Sequence, residues 1–535
     1  MKKYTIFSLI LTALMVASCV KDLDVTPKDP SLILSGNLGD QELYMEQVLA
    51  KVYASFSVSG QSVANVPEDI TAPDANFFTT IRALWNLQEI TTDEAICAWG
   101  DAGIADLNTQ AWTPANPFLT ALYQRLSLSV TYSNDFINQV NEIGHPDKDV
   151  YIAEARFLRA LAYYWLIDLF GNPPFTTEAD GVGKFYPVQK PRAEVYAYII
   201  SELEAIVDVL PSIEHSSTAS KEAALMLLAR TYLNAEVYTG TAQWQKVIEV
   251  CTEVIDSDVF ELSTNYRQNF SADNNFPDNQ EMIFAIEYDG VNTQGYVGTT
   301  FIIESSCDAV YQTAEFYAGL TVNTNWNGNR TRADFMNILV DTLATYGGNP
   351  VDLADTTFLQ SPDNRVLLRQ KRAINIPSPT ASGDFGIGVH KFTARNSDTT
   401  LPATYNGAFA STDFPIFRLA DAYLMRAEAN FRLNGSAAAL SDMNAIRERA
   451  YGDNSGNFAS VTLIDILNER GREFYYEAQR RTDLVRFGQF TDGNYHWQWK
   501  GNTFEGVATA SYRNLFPIPG DEIAANPNIK QNQGY

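Results

Sequence analysis

The sequence predicts a mainly α-helical chain, a stack of helix hairpins interrupted by one large loop-rich region that contains short strands. Three observations predict it. Apolar residues recur every three to four positions across much of residues 40–256 and again across 417–490, the spacing of helices with one buried face. Small residues, Ala above all, sit among them, as close helix packing requires. Between these stretches, from about 257 to 416, the composition turns to Gly, Asn, Asp, Thr and aromatics with brief alternating runs.

The elements follow in order. Lys2 and Lys3 precede an apolar run from Ile6 to Val16, too short for a bilayer core that needs roughly 20 residues, and so a secretory signal over 1–18. The run ends Val16-Ala17-Ser18-Cys19, which resembles a bacterial lipobox and implies that Cys19 carries lipid. Val25 to Gly39, with two Pro and two Gly, completes a tether over 19–39. A first helix is expected from Asp40 to about Phe56.

Ile152, Ala155, Leu158, Ala162, Trp165, Leu166 and Leu169 give an amphipathic helix between Asp149 and Phe170, stopped by Gly171-Asn172-Pro173-Pro174. Pro191 opens a second that runs through Leu210, and Ser220 to Tyr238, rich in Ala and Leu, makes a third. Trp244 to Ile255 makes a fourth, so the stretch resembles a tetratricopeptide-like stack without a strict 34-residue period. In the loop-rich region Ile283 to Tyr288 reads as a strand, and Arg332 to Thr345 is the one helical candidate. Helical periodicity returns at Phe417–Leu433, Ala437–Ala450 and Thr462–Arg480, the last opened by the capping box Thr462-x-x-Asp465. A single domain is expected over 40–535.

Composition narrows the function. The formal net charge of −26 excludes a nucleic-acid partner. Cys97, Cys251 and Cys307 form no disulfide framework and are expected to pack as small apolar side chains, and the four His are scattered. Asp273-Asn-Asn-Phe-Pro-Asp278 lacks the Gly and the terminal Glu of a calcium loop. No metal and no cofactor are expected. Glu473 and Glu477 could be proposed as a glycosidase pair, but Arg470, Arg472, Arg480 and Arg481 surround them and favour two ionised structural acceptors.

Five segments together resemble the SusD/RagB glycan-capture lipoproteins of Bacteroidetes. They are Glu154-Ala-Arg-Phe-Leu-Arg-Ala160 leading to Asp168-Leu-Phe-Gly-Asn-Pro-Pro174, Ala224 to Leu233, Phe414 to Ala429, Asn468 to Gly488, and Phe516-Pro-Ile-Pro519 with Gln531-Asn-Gln-Gly534. They occur in family order over almost the whole chain. The resemblance implies a non-enzymatic protein that sits on a SusC-like TonB-dependent transporter and hands it oligosaccharides. Lys21-Asp22-Leu23-Asp24, just after the lipobox, is similar to the export signal that places such lipoproteins on the outer-membrane surface. A RagB-like peptide binder is the alternative, and a glycoside hydrolase is a third class.

Sugar recognition needs flat apolar faces flanked by hydroxyl-binding groups, and three loops supply them. Asp74 to Gly100 carries Asp74, Arg82 and Trp99, Asp289 to Tyr296 ends in an aromatic, and Asn323-Thr-Asn-Trp326-Asn-Gly328 holds one Trp. All three are similar to the starch-binding branch of the family. That likeness implies that Trp99, Tyr296 and Trp326 form an aromatic arc for an α-glucan, with Asp74 and Arg82 as hydroxyl partners. Three residues after the Trp the branch carries Asn, where this chain reads Asp101-Ala102. Tyr495 to Lys500, with Trp497 and Trp499, is read as packing as readily as ligand contact.

Overall fold

The computed structural model describes residues 41–60, 69–70, 79–181, 185–309, 313–340, 361–370 and 374–535. Cys19, the tether, Asp74 and the end of the helix expected from Arg332 lie outside them. The chain divides into two compact units, Met1–Gln47 and Val48–Tyr535. Of the first, the described part is the opening of a helix, Gln41–Ser57. The rest concerns the second.

The scaffold is mainly helical, as expected. Pro117–Asn141 packs on Lys148–Phe170, that helix on Arg192–Ile206, that on Lys221–Leu233, and that on Trp244–Ile255. The next partner of Trp244–Ile255 is Leu419–Asn434, which packs in turn on Ser436–Tyr451 and Leu463–Phe474. The stack therefore continues across the loop-rich region. Ala420, Leu424 and Ala427 meet Ala439, Met443, Ile446 and Ile466 in one fully buried cluster, where each large apolar side chain contributes about 1.5–3 kcal/mol.

The periodicity does not announce Pro117–Asn141, the longest described helix. Its centre, Ser-Leu-Ser-Val-Thr-Tyr-Ser, is poor in good helix formers. Packing overrides that preference, and the hydroxyls of Ser127, Ser129, Thr131 and Ser133 donate to carbonyls four residues back. Asn116, whose side chain accepts from Phe118 N at 3.1 Å, and Pro117 were the start signal.

The predicted Thr462–Arg480 helix is two helices, Leu463–Phe474 and Arg480–Arg486. Between them Tyr476 and Ala478 take left-handed φ of 66° and 58°. Tertiary partners replace the helical bonds there. Tyr476 N donates to Glu94, Gln479 N donates to Glu89 at 3.2 Å, and Lys391 Nζ donates to Tyr475 O at 2.7 Å. Phe417, placed by its pattern in a helix, belongs to a strand, Phe414–Arg418, which pairs antiparallel with Met282–Ile286. The helix expected from Arg332 spans Ala333–Leu339, and Gly298–Ser306 is helical where none was expected, its Thr-Thr-Phe-Ile-Ile run being strand-like in composition but buried throughout.

The Met282–Ile286 and Phe414–Arg418 pair closes the base of the loop-rich region. Buried ion pairs fasten that region to the scaffold. On Leu463–Phe474, Glu469 accepts from Arg365 at 2.7 Å, and Glu473 from Arg365 at 3.2 Å and Arg418 at 3.0 Å. Glu477 accepts from Lys391 at 2.7 Å and from Arg418 at 2.7 Å. Burial pushes the Glu469 carboxyl up, but Arg365, Arg472 and Arg447 outweigh it and hold the group at about 2. Arg449, Arg418 and Arg365 likewise override burial and hold Glu473 well below the usual carboxylate range. Glu473 and Glu477, the pair singled out in the sequence, are both structural acceptors, as the sequence suggested. Trp497 is buried and Trp499 donates Nε1 to Ile376 O at 2.9 Å, so both are packing residues. Cys97, Cys251 and Cys307 are buried and unbridged.

Candidate functional site

The Asn-rich loop begins with a backbone only certain residues tolerate. Asn323, Asn325 and Asn327 alternate in left-handed conformations, with φ of 54°, 67° and 48°, and Asn is the non-glycine residue best suited to that region. The alternation turns successive N–H groups toward the C-terminal end of the Gly298–Ser306 helix. Trp326 N, Asn327 N and Gly328 N donate to Glu304 O, Cys307 O and Ser305 O at 2.9, 2.8 and 2.7 Å. Carbonyls that a helix end leaves unpartnered are thereby satisfied, and Trp326 is held at a fixed place.

Trp99 arrives from the other side of the sequence. Ile96–Cys97 pairs antiparallel with Asn329–Arg330, and Ala98 N donates to Gly328 O at 2.9 Å, which lays Trp99 beside the loop. Its ring lies on Gly328, where a Cβ would fall 2.3 Å from Cε2. Only glycine permits this approach. Trp99 Nε1 donates to Trp326 O at 3.1 Å, and Trp326 Nε1 to Asn323 O at 2.5 Å. Tyr296 comes from a turn held by Asp289, whose carboxylate accepts from Val291 N and Asn292 N, and its hydroxyl accepts from Asn323 Nδ2 at 2.6 Å.

The outcome is a strip of three half-exposed rings in the order Trp99, Trp326, Tyr296. Their centroids are 6.3 and 6.1 Å apart and their planes are tilted by 53° and 60°. Both indole N–H groups are already bonded to backbone, so these rings offer a ligand their apolar faces. The three faces are not coplanar, so a flat, straight ligand cannot lie on all of them at once.

Arg82 is joined to the same site. It is buried, with its guanidinium carbon 4.6 Å from the Phe301 centroid and 5.6 Å from that of Trp99, beneath the strip's Trp99 end. Asp74 lies outside the described residues. Sequence reasoning missed Phe301, which supports Trp99 edge-on at 6.0 Å, and Glu304, whose carboxylate accepts from Asn325 N at 2.6 Å beneath the loop. Burial pushes the Glu304 carboxyl up to about 8 against the pull of that N–H. Only the apolar, β-branched run before Glu304 hinted that a buried element lies there.

Among the described residues no group of three or more His, Cys, Asp or Glu is placed to hold a metal. Asp273 accepts instead from Ser397 N and Oγ at 2.7 and 2.6 Å.

Known proteins share this architecture. The sequence model of the SusD family matches residues 364–535, and a second, described as starch-binding associating with outer membrane, matches 41–233. The chain is 34% identical to the starch-binding protein SusD of Bacteroides thetaiotaomicron, over 99% of this chain and 98% of that one. Among solved structures, a SusD superfamily protein of Parabacteroides distasonis superposes with a TM-score of 0.69 at 19% identity, covering 93% of this chain and all of that one. Surface glycan-binding protein A of B. thetaiotaomicron, solved with laminarihexaose, gives 0.65 at 16% identity over 92% and 99% of the two chains.

Proposed function

Because this chain belongs to the SusD family, we propose that it is a surface lipoprotein that captures starch-type α-glucan and delivers it to a TonB-dependent outer-membrane transporter. The strip Trp99, Trp326, Tyr296 carries the reading. Its ring faces step at about the scale of a sugar unit, and each plane is turned from its neighbour as a winding glucan would need. The relative named for starch binding aligns over almost the whole chain. Arg82 is proposed as a hydroxyl partner at the Trp99 end, and Asp74 as a second hydroxyl partner.

Binding by such a strip is weak. A ring that covers roughly 50 Å² of sugar face contributes about 1 kcal/mol at about 25 cal/mol/Å², so three rings reach about 3–4 kcal/mol, close to a millimolar Kd. Many copies on one cell, gripping one long polymer, raise retention through avidity. This suits capture and release, not storage.

The reading includes no hydrolysis. Glycosidases need one carboxyl free to donate a proton and a second free to attack or to activate water. Glu473 and Glu477 are both buried and both engaged by Arg418. Cys19 is proposed as the lipidated residue, so Cys19→Ala should leave a folded protein that washes free of outer membranes. Electrophoresis of the protein lacking residues 1–19 through starch-containing native gels tests the binding. Retardation without release of reducing ends is expected, and free migration, or release abolished by one acid substitution, overturns the proposal.

A further inference from the structure

Beyond Tyr296 the strip does not stop. The Phe409 ring lies 4.9 Å from the Tyr296 centroid, tilted by 50°, and Phe409 is half-exposed like the other three. We infer that Phe409 is a fourth ligand-facing ring, an outer subsite that only longer glucan chains reach. The inference rests on the glucan reading and extends it from the kind of ligand to its length.

The loop that carries Phe409 is tied in place. Asn406 Oδ1 accepts from Ala408 N and Phe409 N at 2.9 and 3.0 Å, and Gly407 O accepts from Thr321 N and Val322 N at 2.8 and 3.0 Å. Ala410 N donates to Thr300 Oγ1 at 2.9 Å. Gly290 lets the loop lie close to the Asp289 turn, since a Cβ there would fall 2.6 Å from Thr404 O and 3.3 Å from Phe409 O. The same two segments that present Tyr296 and Trp326 thus also fix the fourth ring. A phenyl ring has no polar edge to satisfy, and one that only propped Tyr296 could be covered completely. Its exposed part is apolar surface held rigid at the end of a row of such surfaces, so a ligand that covers it meets no ordering cost in the protein.

Isothermal titration of wild type, Phe409→Ala, Phe409→Leu and Trp326→Ala with a ladder of linear α-1,4-glucan oligosaccharides tests this. Phe409→Leu keeps apolar bulk against Tyr296 and reports if the alanine variant fails to fold. Both Phe409 variants should bind the shortest ligands like wild type and lose roughly five- to tenfold on the longest, the worth of one ring face. Trp326→Ala should weaken every length. Equal weakening at all lengths by the Phe409 variants, or no weakening at any, overturns the subsite while the glucan reading stands. Unchanged binding by Trp326→Ala overturns both.

Discussion

Replacing Trp99 by alanine removes two things at once. The first is its own ring face, roughly 50 Å² against sugar and so about 1 kcal/mol. The second is the Nε1 bond to Trp326 O at 3.1 Å, one of the ties that keep the neighbouring ring in place, worth about 1 kcal/mol as an ordinary hydrogen bond. The sum of about 2 kcal/mol is roughly a thirtyfold loss of affinity. Trp99→Phe separates the parts, since it keeps a ring and loses only the N–H, and should lose about fivefold. Both can be read from mobility in native gels over a series of starch concentrations, with thermal melting as the check on folding. Fold stability should fall by no more than about 1 kcal/mol, that one hydrogen bond, because Trp99 is half-exposed at the edge of its loop. If Trp99→Ala stays folded and is still fully retarded, the strip is not the binding surface and the proposed glucan site loses its support.

Three further outcomes are expected. Trp165→Ala, which empties a buried site beside Phe56 at 6.0 Å, should cost about 3–5 kcal/mol in denaturant unfolding and leave starch retention of the folded fraction unchanged. Glu473→Gln strips the charge that Arg365, Arg418 and Arg449 share and should cost about 3–5 kcal/mol; a near-neutral effect in the same assay would mean that those cations find other partners. Glu304→Gln tests pH dependence. With its carboxyl pushed up to about 8, the folded protein keeps a proton that the unfolded chain releases near 4.3, so the stability it confers is full below that pH and is lost as pH rises through 8. The Gln variant should match wild type at pH 5 and melt higher at pH 9, and parallel curves would contradict the assignment.

Much of the scaffold was legible because its helices obey their own periodicity. Lys148–Phe170 buries every residue its spacing selects except Ile152 and ends at Gly171, and Trp244–Ile255 buries Trp244, Val247, Cys251 and Val254 at helical spacing. Pro117–Asn141 was not, since its serines and threonines are satisfied only once the helix exists. The break at Tyr475–Gln479 was invisible for a related reason, its backbone being bonded by Glu89, Glu94 and Lys391 from distant parts of the chain. Within the site, Trp99, Tyr296 and Trp326 could be selected from loop composition and resemblance, and the structure brings them side by side. Phe409 could not, because nothing local sets its Asn-Gly loop apart until Gly290 is seen beneath it.

The closed base of the loop-rich region, with Met282–Ile286 against Phe414–Arg418, makes the segment between them look exchangeable, a cassette whose contents could be traded among relatives to alter diet. The acids beneath it set a condition on the trade. Glu469, Glu473 and Glu477 are buried, and much of their countercharge comes from Arg365 and Lys391 within the segment itself. A transplanted segment that brought a better sugar platform but no cations at those two places would leave carboxylates stranded in the scaffold, and the host would unfold before its new specificity could be measured. Grafts between such proteins should therefore be chosen first by the cations at their root and only then by the rings at their tip.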